Sequence, residues 1–468
     1  MIKMKYSMLC PQYKLRGWIG FPFALVHDDD VIRLSREEFN ALLLCDGKTD
    51  VEAIQDKGMN DTLHSLAAKG FIRFSEKPEE INREQYYHHF DNRYIHDIYW
   101  SITGRCNFRC RHCYINAPDA AMGEMTHEEA IQVIDQMAEC GIYHLLMSGG
   151  EPFVRKDFWE LVDHALEKGI QIDQVYTNGW MLTDRMLDKF EERGMKPQFS
   201  ISFDGVGWHD WMRGVNGAEQ AALDALKRCH QRGFSTNVEM CIHRGNMDSI
   251  RESINRLADF GVRHIKFSEV SNTELWKQNA EGHELSIREY TEAVLRYLPN
   301  YFEDGMPADL LFGGVVELFK DSTEYRPIAE FDEGTEKCLD RYICGAVRNS
   351  CYLAPDGRML PCMPIAAVPD QSLFPKVQEM GLQAALKESL FMEFAKRKVK
   401  DLLEACRTCR ECPYHLRCGG GCRATAVMGG EHNLMGPDPH RCLMWKEGYL
   451  EKVHAVCDDA IQKYCGKS

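Results

Sequence analysis

Between residues 98 and 310, short apolar runs alternate with longer amphipathic stretches. Runs at 98–102, 143–148, 171–176, 198–202, 235–240 and 264–268 have strand length and are apolar or alternating. Between them, 128–139 and 157–168 place apolar residues at helical spacing. Repeated strand–helix units predict a parallel sheet with outer helices, here an α/β fold of six units spanning 98–310.

The pattern before this region differs. Residues 1–80 read as a separate small domain. A strand is expected over 18–26 and another over 31–34, parted by the turn His27-Asp28-Asp29-Asp30. Ser35 and Glu38 form a capping box that opens a helix over 39–45. A second helix is expected from Asp50, a third around Leu63, Leu66 and Ala67, and a last strand at 71–74. Strands followed by three short helices predict a winged helix-turn-helix. Residues 81–97 are polar and read as a linker. His88 and His89 have no third ligand nearby and read as ordinary side chains. Residues 311–337 read as a bridge, 338–445 as a cysteine-rich domain, and the end of the chain, 446–468, as a closing helix.

Composition narrows the function. The chain has 468 residues, enough for several domains, and a formal net charge of −15. That charge argues against a general nucleic-acid binder. No apolar run approaches the length of a membrane span, and the start has no signal-peptide core, so a cytoplasmic protein without a membrane partner is expected. Twenty cysteines in that compartment point to metal rather than disulfides. Cys45, Cys140, Cys229 and Cys241 sit among apolar neighbours and read as small core residues.

Three cysteines stand at C-x3-C-x2-C: Cys106, Cys110 and Cys113, just after the first barrel strand. Three thiolates can hold a cubane iron–sulfur cluster with one iron left without a protein ligand, as a catalytic metal keeps an open position. A structural zinc is the other reading. Followed by the aromatic Tyr114, the motif resembles the signature of radical S-adenosylmethionine (SAM) enzymes. The resemblance implies a partial (β/α)6 barrel. It also implies a 4Fe–4S cluster whose open iron chelates SAM, and cleavage of SAM to a 5′-deoxyadenosyl radical.

Further motifs follow at the ends of the expected strands, where barrels of this kind gather their catalytic groups. Gly149, Gly150, Glu151 and Pro152 match the family's GGEP motif, whose backbone and carboxylate hold the SAM amino group. Thr177 and Asn178 resemble a SAM-contacting turn. Ser202, Asp204 and Arg213 resemble the pattern contacting the SAM ribose and carboxylate. Glu269 and the segment 271–274 follow the sixth strand and face the expected substrate position.

The two ends of the chain carry resemblances of their own. Residues 33–35 and 44–47 resemble the PqqD-like peptide-recognition domain, which implies that a precursor's leader peptide adds a strand to its sheet edge. A DNA-binding winged helix or a structural cap are the other readings. The cysteines from 338 to 442 resemble the SPASM domain, which holds two auxiliary 4Fe–4S clusters. The resemblance implies Cys338, Cys344, Cys362 and Cys422 for the first, and Cys409, Cys412, Cys418 and Cys442 for the second. Cys351 and Cys406 are left over, and either could replace Cys338. Two zinc sites are the other reading.

The order of domains resembles a radical SAM/SPASM maturase of ribosomally made peptides. It implies a thioether crosslink from a peptide cysteine to a carbon, with a carbon–carbon crosslink as the alternative, and an electron donor such as flavodoxin or ferredoxin. A sulfatase-maturing enzyme fits less well. That family places an Asp base directly after the third auxiliary cysteine, where this chain has Met363 after Cys362. A non-catalytic peptide chaperone is opposed by the intact cluster motif.

Overall fold

The computed structural model describes residues 5–27, 30–367, 371, 374–429 and 433–466. The first four residues, read above for a signal peptide, and Asp28 and Asp29 of the expected turn lie outside the described residues.

The N-terminal region builds two small sheets from β1 (Tyr6–Leu9), β2 (Tyr13–Ile19), β3 (Phe21–His27), β4 (Asp30–Arg33), β5 (Asp46–Asp50), β6 (Ile72–Ser75) and β7 (His88–Arg93). Their orders are β5-β1-β6 and β4-β3-β2-β7. The strand expected over 18–26 is two strands. Gly20, at φ 78°, makes the tight reversal between them, a conformation that costs glycine least. Helix Arg36–Leu43 starts as expected, with Ser35 and Glu38 capping each other.

The helix expected from Asp50 does not form. The Asp46 carboxylate accepts from the backbone N–H groups of Lys48 and Thr49, both at 2.8 Å, and 46–50 pairs with β1. Only a single 3-10 turn, Val51–Ala53, follows before helix Lys57–Ala68 begins at its N-cap, Asp56. Two α-helices therefore stand where three were expected.

The 81–97 stretch does more than link. β7 pairs in parallel with β2, and Phe90 stacks on Trp18. The Trp18 indole N–H donates to the Cys140 carbonyl at 2.9 Å, and the Asn92 amide donates to the same oxygen at 3.1 Å. The N-terminal domain is thereby fixed to the end of the barrel helix His127–Glu139. His88 and His89 are exposed.

The six expected barrel strands are present and parallel: β8 (Asp97–Ser101), β9 (His144–Ser148), β10 (Gln171–Thr177), β11 (Gln198–Ser202), β12 (Thr236–Ile242) and β13 (His264–Glu269). The sheet extends past both expected edges. β14 (Asp309–Phe312) adds in parallel to β13, then β15 (Val316–Leu318) and β16 (Tyr325–Pro327) add antiparallel. At the other edge β17 (Ser350–Leu353) lies parallel to β8, followed by β18 (Met359–Leu360). So 311–337 carries the far edge of the sheet in β15 and β16, and the cysteine-rich region covers the β8 edge instead of trailing behind the barrel. One apolar core runs from the barrel into that region, while the N-terminal helices pack on a core of their own. The closing helix expected over 446–468 is Tyr449–Tyr464, entered through Gly448 at φ 70° from a separate helix, Pro439–Lys446; residues 467 and 468 lie outside the described residues. Among the described residues no helix is long and apolar enough to cross a membrane.

Candidate active site

The loop after β8 carries Cys106, Cys110 and Cys113 to the C-terminal end of the sheet. There they line a 250 Å³ cavity together with Tyr114, Gly149, Gly150, Thr177, Asn178, Ser202 and Arg213. Ten of the twelve residues singled out in the barrel thus share one wall. Glu151 and Asp204 stand just behind it.

The loop is shaped to hold sulfur. The Phe108 N–H donates to Cys106 Sγ at 3.3 Å, and the Ala117 N–H to Cys113 Sγ at 3.2 Å. The Arg213 guanidinium reaches Cys110 Sγ at 3.8 Å. Burial pushes the Cys106 thiol up to about 12 and that of Cys110 to about 11. Such thiols ionise only against a bound cation, so metal binding here releases protons. Among the described residues, no set of three thiols has its sulfurs all within 4.8 Å of one another. One tetrahedral zinc, with Zn–S bonds of ~2.3 Å, would need that closeness. The wider spacing fits a cluster.

Both GGEP glycines are required by the chain itself. A Cβ on Gly150 would sit 2.2 Å from the Arg105 carbonyl oxygen, and one on Gly149 would sit 2.9 Å from Thr103. The close approach lets the Gly150 N–H donate to the Thr103 carbonyl and the Glu151 N–H to that of Arg105. The GGEP turn therefore braces the cysteine loop as well as facing the cavity.

Glu151 is fully buried and turned toward β10. It accepts from the Thr177 hydroxyl at 2.9 Å and the Asn178 N–H at 2.8 Å. Burial pushes its carboxyl up to about 7, against those hydrogen bonds. Asn178 in turn donates to the Asn107 side chain at 2.8 Å, tying the third strand end to the cysteine loop. Asp204 pairs with Arg213 at 2.6 Å and lies close to His209. Burial alone would raise Asp204, but Arg213 and His209 overcome it and hold the carboxyl well below the usual range. Its role in the geometry is to aim Arg213. His112, Asp204 and Cys241 converge closely enough for a cation, yet Arg213 already supplies that charge.

The wall also includes residues not expected there: Tyr99, His112, Tyr176, Glu239, Lys266, Met363 and Pro364, and Cys241, which is expected as a small core residue but is half-buried and faces the cavity. His112 comes from the cysteine loop; the other barrel members lie on strands already expected, with side chains on the inner face. Met363 and Pro364 come from the cysteine-rich region directly after Cys362, and no barrel periodicity announces them. Glu269 lines the cavity as expected, whereas Glu274 is exposed and paired with Lys277.

The cysteine-rich region gathers its thiols in two places. Cys409, Cys412, Cys418 and Cys442 surround one pocket with Leu403, Tyr414 and Trp445. Elsewhere, burial and then Cys422 and Cys344 push up the Cys362 thiol, placing those three together. Cys338 is buried in a 3-10 turn, Glu336–Asp340, packed against helices Val399–Ala405 and His415–Cys418. Besides burial, the charged groups acting on it are Asp332 and Arg341. Of the leftover thiols, Cys351 sits in β17 opposite Ile98, and Cys406 contacts Cys409 beside the second group. Cys344, Cys362 and Cys422 act on one another, whereas Cys338, Cys351 and Cys406 each stand among other neighbours.

Comparison with known proteins agrees with this architecture. The model of the Radical SAM superfamily matches residues 100–258, and that of the SPASM iron–sulfur cluster-binding domain matches 344–412. Fe-coproporphyrin III synthase of Methanosarcina barkeri is 32% identical over 219 residues, 46% of this chain. The match spans about half of that relative, 54% of its length. PqqA peptide cyclase of Granulibacter bethesdensis is 25% identical over 369 residues, covering 77% of this chain and 88% of that protein. The structure of Streptococcus suis SuiB bound to S-adenosylmethionine superposes with a TM-score of 0.58, over 93% of this chain and 99% of that one. At 15% identity this last likeness is one of fold.

Proposed function

From a chain that carries a radical SAM core and a SPASM domain, with SAM, a 4Fe–4S cluster and auxiliary iron–sulfur clusters as its cofactors, we propose a maturase of a ribosomally made precursor peptide. It installs a thioether between a cysteine sulfur and a carbon of that peptide. A carbon–carbon crosslink is the alternative bond. When bound, SAM and its cluster supply a 5′-deoxyadenosyl radical able to take a hydrogen atom from an unactivated carbon.

The chain's own residues have distinct parts in this reading. Cys106, Cys110 and Cys113 hold the SAM-binding cluster. Gly149, Gly150, Thr177, Asn178 and Ser202 shape the SAM seat, with Tyr114 closing its side. Glu151 sits behind the seat, where a cationic amine would draw its carboxyl into the charged form. Arg213, aimed by Asp204, meets a carboxylate. Cys344, Cys362 and Cys422, with Cys338 as the fourth thiol, serve the first auxiliary cluster; Cys409, Cys412, Cys418 and Cys442 serve the second. The enclosed wall excludes water from a reactive radical. A flavodoxin or ferredoxin supplies the electron.

The observation that supports a peptide substrate is the free edge of β4. It ends the sheet β4-β3-β2-β7 beside helix Arg36–Leu43, and its residues are exposed or half-buried. An extended leader can add there as a further strand. PqqA peptide cyclase and SuiB, the latter also solved with the precursor peptide SuiA, point the same way. Hydrogen exchange with and without a precursor peptide tests the docking: protection of the β4 amides supports it, and unchanged exchange there contradicts it. Anaerobic coexpression with short open reading frames near the gene tests the chemistry through a loss of two hydrogens per link.

A second reading, radical modification of an iron tetrapyrrole, is favoured by the 32% identity to Fe-coproporphyrin III synthase. It gives the N-terminal domain no task. Iron tetrapyrroles that still lack the modification, offered in place of peptide, separate the two, because only the true substrate raises 5′-deoxyadenosine release above its background.

A further inference from the structure

The cavity wall offers few carboxylates that can take a proton from a substrate. Glu239 is engaged by Lys266 at 3.1 Å. Asp204 is held by Arg213, and Glu151 is turned inward onto Thr177 and Asn178. Met363, next to Cys362, has no basic atom. Glu269 differs. It stands at the C-terminal end of β13, faces the cavity, and is engaged by neither a lysine nor an arginine among the described residues.

Behind Glu269 lies His440. Its Nε2 is 3.0 Å from Glu269 Oε1, and the ring is almost fully buried. Gly314, at φ 76°, leaves room for the ring, since a Cβ there would meet it at 2.7 Å. Tyr290 packs edge-on against it, with centroids 5.9 Å apart. The imidazole is wedged in place and holds one carboxylate oxygen of Glu269. His440 belongs to helix Pro439–Lys446, which also carries Cys442. The N-cap of that helix, Asp438, accepts from the Cys422 N–H at 2.7 Å. One short helix therefore ties the Glu269 carboxylate to Cys442 of one auxiliary group and to the Cys422 backbone of the other.

We propose that Glu269 is the proton acceptor in crosslink formation and that His440 is its positioning residue. The inference rests on the crosslinking function proposed above. Making a C–S bond from a C–H and an S–H group removes two hydrogens. One leaves carbon as an atom and ends in 5′-deoxyadenosine. The other leaves sulfur as a proton, which Glu269 takes. The one remaining electron passes to an auxiliary iron–sulfur cluster, the oxidant of this step.

The test compares the full-length, cluster-loaded wild type with Glu269→Gln, His440→Gln and His440→Ala, using a precursor peptide encoded by a short open reading frame near the gene. Glu269→Gln is expected to keep its iron content, SAM affinity and first-turnover 5′-deoxyadenosine release. Its crosslinked product falls ~100-fold or more, the usual contribution of a general base. A peptide-centred organic radical, absent from wild type, then builds up and is read by electron paramagnetic resonance. His440→Gln keeps a donor toward Glu269 and retains more product than His440→Ala. Crosslinking by Glu269→Gln at the wild-type rate overturns the role of Glu269, as does loss of SAM cleavage in parallel with product. A wild type that cleaves SAM beside its peptide and forms no link overturns the crosslinking function itself.

Discussion

The cysteine loop of the barrel and the pocket around Cys409 hold thiols in opposite ways. Cys106, Cys110 and Cys113 come from one loop, receive backbone N–H bonds on two sulfurs, and open onto a 250 Å³ chamber. Cys409, Cys412, Cys418 and Cys442 come from two segments and close around a pocket walled by Leu403, Tyr414 and Trp445. Three thiols leave an iron for a ligand; four leave none. The first arrangement suits bond breaking. The second suits moving an electron without exposing the metal to substrate.

The contrast can be broken in graded steps. Replacing Cys106, Cys110 and Cys113 together by Ala should abolish SAM cleavage and lower bound iron by about four per chain. Iron analysis and 5′-deoxyadenosine assay check this, and an iron content equal to wild type would count against a separate first site. Gly150→Ala leaves every thiol in place. Its new methyl meets the Arg105 oxygen, so the cysteine loop must move, and SAM cleavage should fall ~100-fold with iron largely retained.

Cys412→Ala acts on the closed site. Product should fall at least ~10-fold, about 1.4 kcal/mol in barrier, while SAM cleavage changes little. Equal losses in both would point to a folding defect. The smallest effect belongs to Cys351→Ala. Its thiol lies in β17 against β8, so iron should be unchanged and stability should drop by about 1 kcal/mol. Loss of iron there would place Cys351 in the first auxiliary group after all.

The same contrast explains what could be read before any coordinates. Six barrel strands and the placing of the cysteine loop after the first follow from local pattern, because periodicity reports short-range order, whereas the wall from Tyr114 to Arg213 was legible only through the family resemblance of its motifs. Pairing between distant segments is silent in such patterns. Nothing in residues 350–353 says that they cover the β8 edge, and nothing in 88–93 says that they join β2. The helix expected from Asp50 lost to a local rule, the Asp46 side chain bonding its own backbone. Glu269 was legible by position at a strand end. Its partner His440, 171 residues away in sequence (440 − 269), was not.

The pairing of β2 with β7 also bears on how peptide recognition is tested. Removing residues 1–80 would strip β7 of its neighbour and remove Trp18 from its bond to Cys140. Weakened peptide binding by such a truncation would mix lost docking with lost support. Exchange at β4 in the intact chain reads the docking alone.

The central claim is that the open thiol site cleaves SAM to start an oxidation of a peptide. The most direct measurement is anaerobic reaction of the cluster-loaded chain with SAM, a strong reductant and a precursor peptide, following 5′-deoxyadenosine and peptide mass together. The account predicts 5′-deoxyadenosine in wild type, none in the triple-cysteine variant, and a peptide lighter by two hydrogens per link. Wild type that releases no 5′-deoxyadenosine would contradict it.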